Sequence, residues 1–268
     1  MNVIDLSWWQ LSLAAGLVLA LAVCTHIARL QLGKSLIIAA VRTVIQLTLI
    51  GLVLDSLFAV GSLLWVSLLA LAMLLFAGQQ VASRQKYRLR GGWSFAVGTL
   101  SMLVSAFCIT LLCLVVLIAP EPWYQPQYSI PLLGMLLGNT MTGVALSLDR
   151  LTESMQRSRD IIENRLMLGQ PWQQACLEFR RDAMRAGLMP TINAMAAAGI
   201  VFLPGMMTGQ ILSGTSPTIA VKYQILILFA IASGTGFGTF IAVTLASRKL
   251  FDKRERLRTD RLIKSKSH

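Results

Sequence analysis

The sequence predicts an all-α, polytopic membrane protein with about seven transmembrane helices. Three observations carry that prediction. Hydrophobic residues make up 55% of the 268 and charged residues only 13%, against roughly 25% charged in soluble domains. The apolar residues fall in uncharged runs long enough to cross a bilayer, which takes about 20 helical residues. Finally, 22 of the 24 Lys and Arg lie in four segments that seven crossings would put on one side of the membrane.

The runs lie near 7–28, 36–54, 59–79, 94–118, 130–148, 188–211 and 223–246. No cation precedes the first run; the first charge is Asp5 and the first basic residue Arg29. A secretory signal would carry a positive n-region there, so this run is expected to remain as a span. Arg29 and Lys34 separate runs one and two, and Arg84, Lys86, Arg88 and Arg90 separate three and four. Seven arginines from Arg150 to Arg185 separate five and six, and nine cations from Arg248 to Lys266 follow the seventh. Cytoplasmic loops retain Lys and Arg, so the N-terminus is predicted outside and the C-terminus inside. The other face receives Asp5, Asp55 and Glu121. Lys222 falls at the start of span seven and reads as an anchor at the outer rim. The formal net charge of +12 reads as this orientation signal and as contact with the anionic headgroups of membrane lipids. No aromatic-interleaved basic surface accompanies it, and no nucleic-acid partner is expected.

Seven spans leave room for one transmembrane domain over 1–268, with a polar segment at 149–187 and a basic tail at 247–268. The chemistry of an enzyme is missing. With only His26 and His268 there is no His-Glu-x-x-His and no Ser/His/Asp set. Leu-Gly-Lys-Ser at 32–35 lacks the first glycine of a phosphate-binding loop, since Ala28 stands there. No cofactor is expected on this chain, and any nucleotide energy must come from another. Cys24, Cys108, Cys113 and Cys176 form no Cys-x-x-Cys pair and read as packing residues.

The polar segment 149–187 mixes apolar and charged residues regularly. It predicts two helices, Arg157–Leu168 and Trp172–Arg185, parted at Leu168-Gly169-Gln170-Pro171, where glycine ends one helix and proline can begin the next. Small residues recur in the last three spans: Gly134, Gly138 and Thr142; Gly205 and Gly209; Gly234 and Gly238. That spacing predicts close helix packing, including a contact between two copies of the chain. Span six carries Pro204, expected to break its helix. Irregular backbone at membrane depth survives only inside protein or beside a watery cavity. In span two, Arg42 and Gln46 share a face one turn apart. Arg42 either faces the bundle or a pathway, or snorkels to the inner surface about 9 Å away.

Two stretches together, "ENRLMLGQPWQQACLEFRRDAMRAGLMP" (163–190) and "LPGMMTGQILSG.SP..AVKYQI" from 203, resemble the FetB family of ABC-transporter permeases. These are bacterial iron-export permeases with plant relatives linked to aluminium tolerance. "VRTVIQLTLIG" (41–51) and "GMLLGNTM" (134–141) are similar to the same family. The resemblance implies a permease subunit of the bacterial inner membrane. It would work as a homodimer on two separate ABC ATPase subunits that use the ATP, and would export metal ions, iron first among them. It implies that Glu163, Leu166, Leu168, Gly169 and Ala175 couple to the ATPase. A stiff hairpin is what such coupling needs, because motion of the ATPase must enter the membrane helices through it; the alternative is a hairpin lying on the membrane surface.

Pro204, Met206, Met207 and Gln210, with Asn139 and Gln46, are expected to line the substrate path. Pro204 would sit about 24 Å into span six, with a kink that frees backbone carbonyls for a hard cation. Met206 and Gln210 share a face. Thioethers suit Cu(I) better than iron, so no metal ligand set is assigned and iron rests on the resemblance. The rivals are a secondary transporter, or another transport subunit with a non-metal substrate. Ion-coupled transport usually needs intramembrane acids, and Asp5, Asp55, Glu121 and Asp149 all fall at span edges.

Overall fold

The computed structural model describes residues 7–30, 33–252 and 254–265. Asp5, Leu32, Lys253, Lys266 and His268 lie outside them. The helices are α1 (Trp8–Ile27), α2 (Gly33–Val60), α3 (Leu63–Arg84), α4 (Trp93–Ile118), α5 (Pro126–Arg157), α6 (Arg159–Met167), α7 (Trp172–Ala175), α8 (Leu177–Ala197), α9 (Gly205–Leu212) and α10 (Pro217–Leu250). Strand β1 (Tyr87–Leu89) pairs antiparallel with β2 (Leu262–Lys264). Among the described residues, α1 to α5 and α10 are long and apolar enough to cross a membrane.

Local sequence explains the starts. Ser7 and Gln10 form a capping box on α1. Pro126 and Pro217 open α5 and α10 at positions whose N–H would find no helical partner. Within α4, Leu103–Phe107 and Cys113–Ile118 widen to π-helix.

The chain divides into two compact units, 1–62 with 212–215, and 63–211 with 216–268. In the first, α1 packs on α2. In the second, α5, α8 and α10 pack on one another, with α3 against α4 and α5, and α4 against α5 and α10. The expected close packing is found at Gly238, but most of the other recurring glycines do not make it. Nothing stands within 4 Å of a Cβ built at Gly138, Gly205 or Gly209, and at Gly134 the neighbour is only the Met73 methyl. The close approach is at Gly143, Gly187 and Gly238. A Cβ at Gly187 would stand 2.6 Å from the Gly143 carbonyl oxygen, and one at Gly238 would meet Thr140 Cγ2 at 2.7 Å and Ser105 Oγ at 2.8 Å. The buried hydroxyls of Thr140, Thr235 and Thr239 around this crossing have no hydrogen-bond partner. Their methyls, not their oxygens, hold the interface.

Helices α5 and α10 have 32 and 34 residues, about 48 and 51 Å at 1.5 Å per residue. Both exceed the roughly 30 Å hydrocarbon core. The expected span 130–148 therefore continues as one helix past Asp149 to Arg157. The second predicted hairpin helix is interrupted at Cys176 (φ −108°, ψ 9°), which separates the single turn α7 from α8.

At one end of the second unit the basic segments fold together. Lys86 donates its backbone N–H to Asp149 (2.7 Å) and its ammonium to Glu153 (3.0 Å), joining the α3–α4 connection to α5. The hydrogen bond from Lys86 holds the Glu153 carboxyl below its usual pKa. The tail is folded rather than free. Phe251 stacks on Trp172 with ring centroids 5.1 Å apart, the Arg261 guanidinium donates to the Lys249 carbonyl (2.6 Å), and β2 adds to β1.

Candidate functional site

The hairpin builds from its glycine. Gly169 takes φ +85°, a left-handed conformation that favours glycine. Its N–H donates to the Leu166 carbonyl (3.0 Å), and the Gln170 N–H reaches back to Arg165 (3.1 Å). Those two bonds form a Schellman motif, which satisfies the end of α6. Arg165 braces the far arm, donating to the Ala175 carbonyl (3.1 Å) and pairing with Glu178 (2.8 Å). The tail braces it again, since Glu255 accepts from the Trp172 N–H at 3.2 Å. Cys176 is fully buried at this joint, and burial pushes its thiol pKa up to about 11.

The result is a rigid tip whose Met167 and Leu168 are 78% and 83% exposed. Of the residues expected to couple, Leu168 and Gly169 are at the tip. Glu163 is half-buried and paired with Arg159 at 2.7 Å. Leu166 packs against the core from below. Ala175 is fully buried, so direct contact with a partner is closed to it, and a small side chain is needed there because α7 packs inward. The sequence reading missed Met167, though an apolar pair beside a helix-ending glycine on a polar segment was visible. A cavity of about 860 Å³ lies between this tip and the tail, with Arg159, Arg254, Arg256 and Arg258 among its lining residues.

The interrupted membrane segment differs from the expectation in where it breaks. Helix α8 ends at Ala197, seven residues before Pro204. Ala198 (φ −63°, ψ 133°) and Gly199 (φ +82°) form a type II turn, with Ile200 N–H donating to the Ala197 carbonyl. Gly199 is the breaker; Pro204 precedes the new helix α9. The carbonyls are engaged: Ala197 also accepts from Val201, Phe202 accepts from Gly199, and Pro204 accepts both the N–H (3.1 Å) and the hydroxyl (3.2 Å) of Thr208. These three carbonyls are engaged within the chain, and Pro204 heads a new helix rather than kinking one.

Met206 is half-buried and packs against the core; Met207 and Gln210 are half-buried. Asn139 is exposed on α5, its amide donating to the Met135 carbonyl (2.8 Å). Together with Gly138 and half-buried Thr142 it gives α5 an open polar stripe. Arg42 and Gln46 are exposed on α2, in the first unit. The six pathway residues thus fall on two units. Among the described residues no three His, Cys, Asp or Glu stand together as metal ligands.

A family model described as "Uncharacterised protein family (UPF0014)" matches residues 8–251. The chain belongs to this family. The UPF0014 match takes in both the hairpin and the interrupted segment and stops at Phe251, ahead of the folded tail. Among its relatives, the UPF0014 membrane protein slr1647 of Synechocystis is 37% identical over 95% of this chain and 97% of its own. The probable iron export permease protein FetB of Escherichia coli is 33% identical over 96% and 97%. The protein ALUMINUM SENSITIVE 3 of Arabidopsis thaliana is 30% identical over 92% and 89%. No solved structure matches. Family membership and six membrane-length helices among the described residues make the chain a multi-pass membrane protein.

Proposed function

We propose that this protein is the membrane-spanning permease subunit of an ABC transporter of the bacterial inner membrane, exporting metal ions, iron first among them. ATP would be hydrolysed on a separate ATPase subunit, and this chain would catalyse no covalent step. The observation that carries the proposal is the hairpin tip. Met167 and Leu168 stand in the open on a braced cytoplasmic element, where two large apolar side chains call for a partner. The relative named as a probable iron export permease supports the substrate.

The reading includes a seventh crossing. Helix α10 is too long to end on the face where it starts, so Pro217 lies opposite the basic end that holds Leu250. The broken segment 188–216 must then cross between α8 and α10. Two copies would meet across membrane helices that leave the polar stripe of α5 and the segment around Met206 and Gln210 beside a shared path, one hairpin serving each of two ATPase subunits.

The test is purification of the tagged chain from its native host, followed by reconstitution into vesicles with the hairpin outward. A Walker-motif ATPase should accompany the chain in equal amount, and added ATP should drive Fe²⁺ into the vesicles. Metal uptake on an ion gradient, with no ATPase present, would contradict the proposal.

A further inference from the structure

At the basic end of the second unit, a cavity of about 720 Å³ opens between the start of α4, the end of α10 and the folded tail. Its lining is divided by chemistry. One wall is apolar: Trp93, Ala96 and Leu100 follow one another down α4, and Leu245 faces them from α10. The mouth carries five cations, Arg248 and Lys249 from α10 and Arg254, Arg256 and Arg261 from the tail, against the single carboxylate of Asp252.

That carboxylate is already committed. It accepts from the backbone N–H groups of Arg254 and Arg256 (both 2.9 Å) and from the Arg256 guanidinium (3.1 Å). These bonds, the one from the Arg256 backbone first, hold its pKa below the ordinary value. Four cations remain in excess. Lys249 lies 3.3 Å above the centroid of the Trp93 ring. Arg248 and Arg254 are exposed and belong to no ion pair among the described residues. The tail does not arrive here by chance of length: Arg258 N–H bonds the Leu250 carbonyl (2.8 Å), and the β1–β2 ladder holds Leu262–Lys264. Folding therefore brings like charges together, which repels unless an anion sits among them. Trp93, the first residue of α4, borders the same mouth, and Gly92 gives the helix no side-chain cap, so the positive end of its dipole lies near the cations.

A cationic mouth above an apolar trough fits an amphiphile whose head is an anion. We propose that this groove is a binding site for an anionic phospholipid of the leaflet on the hairpin side. The phosphodiester lies among Arg248, Lys249 and Arg254, and one acyl chain runs along Trp93, Ala96 and Leu100. Trp93 then occupies the headgroup boundary, where tryptophan is enriched, and basic pockets between membrane helices on the cytoplasmic side recognise such heads. The bound lipid pins the tail to α10, and through Phe251 and Trp172 it steadies the hairpin.

The test uses full-length, delipidated protein in neutral detergent and native mass spectrometry. The probes are phosphatidylglycerol, phosphatidylcholine and inorganic phosphate. Wild type should retain phosphatidylglycerol over phosphatidylcholine, and Arg248→Gln with Arg254→Gln should weaken that retention about thirtyfold, from roughly fivefold per surface cation. Arg157→Gln with Arg185→Gln removes the same charge elsewhere on that side and should leave retention unchanged. Millimolar phosphate should not displace the lipid. Equal retention of the two lipids, an equal loss in both double variants, or full displacement by phosphate would each overturn the site. The last outcome would mark it as a pocket for a free anion. Size-exclusion profiles identify any variant that has lost its fold, and a fluorescence response of Trp93 to phosphatidylglycerol, absent in Trp93→Phe, reads occupancy independently.

Discussion

The helix that ends at Met167 and the helix that ends at Ala197 pass into left-handed glycines, Gly169 at φ +85° and Gly199 at φ +82°. Both are followed by a proline-led restart, at Pro171 and Pro204. Both push two apolar side chains into the open: Met167 and Leu168 in one, Ile200 and Val201, at 90% and 78%, in the other. Their surroundings differ. The first pair projects among Arg, Glu and Gln from a polar segment. The second sits in Ala-Gly-Ile-Val-Phe-Leu-Pro, within a membrane-length run. An exposed apolar pair in water marks a surface awaiting a partner, whereas lipid tails are as apolar as leucine and ask for none. Similar exposure therefore points to ATPase docking in one region, and in the other to side chains that the membrane interior accommodates without an aqueous partner.

The largest expected effect separates the two solvents. Ile200→Asp with Val201→Asp should cost about 2.5 to 3.5 kcal/mol per residue if both lie near the bilayer centre, and membrane-inserted protein should fall more than about tenfold. Met167→Asp with Leu168→Asp should leave it at the wild-type level, because surface changes usually stay within about 0.5 kcal/mol. Quantitative blots of washed membranes decide this, and equal accumulation of both double variants would break the comparison.

Glycines needed for space should differ from those needed for conformation. Gly187→Ala drives a Cβ to 2.6 Å from the Gly143 carbonyl oxygen, and overpacking of this kind costs about 1 to 3 kcal/mol. At Gly169 and Gly199 a Cβ meets nothing within 4 Å. Alanine there should cost only the left-handed penalty of about 1 to 2 kcal/mol, and equally at both. Thermal unfolding in detergent ranks the three. A gap between Gly169→Ala and Gly199→Ala would show that the two turns are not held alike.

The smallest effect concerns pH. A hydrogen bond from Arg258 holds the Asp260 carboxyl at about 2, and bonds from Arg256 lower Asp252. A depressed folded pKa contributes stability above the unfolded value near 3.9, and that stability is lost as pH falls through the folded pKa. The tail should therefore stay docked from pH 7 to about 4.5 and loosen only below the unfolded value, followed through the Trp172–Phe251 stack by fluorescence. Release between pH 6 and 5 would place another group in control.

Much of this architecture was legible in the sequence, because hydropathy and charge segregation are one-dimensional signals. Six of the seven spans, the hairpin and its break at Gly169 follow from them, whereas among the described residues the predicted span 188–211 is parted into α8 and α9. The break at Gly199 was also written in Ala-Ala-Ala-Gly, but the proline drew attention five residues downstream. Other features needed three dimensions. The stripe of Gly134 and Gly138 has the right period, yet period alone does not say which face of α5 meets a neighbour, and Gly143 took that role. Ala175 was expected in the coupling set, and only the fold shows that its side chain is buried. The tail's fold rests on a three-residue ladder and a few side-chain bonds, too little to rise above an arginine-rich background.

The central claim is that the hairpin tip docks an ATPase while the membrane break does not. The direct measurement is the amount of ATPase that copurifies with Met167→Ser, Leu168→Ser and, in parallel, with Ile200→Ser, Val201→Ser, each normalised to inserted protein. Losing two central apolar anchors costs about 2 kcal/mol or more at an interface, so the first variant should retain less than about a tenth of the wild-type ATPase while the second retains it all. Full retention by the first variant, or equal loss by both, would contradict the account.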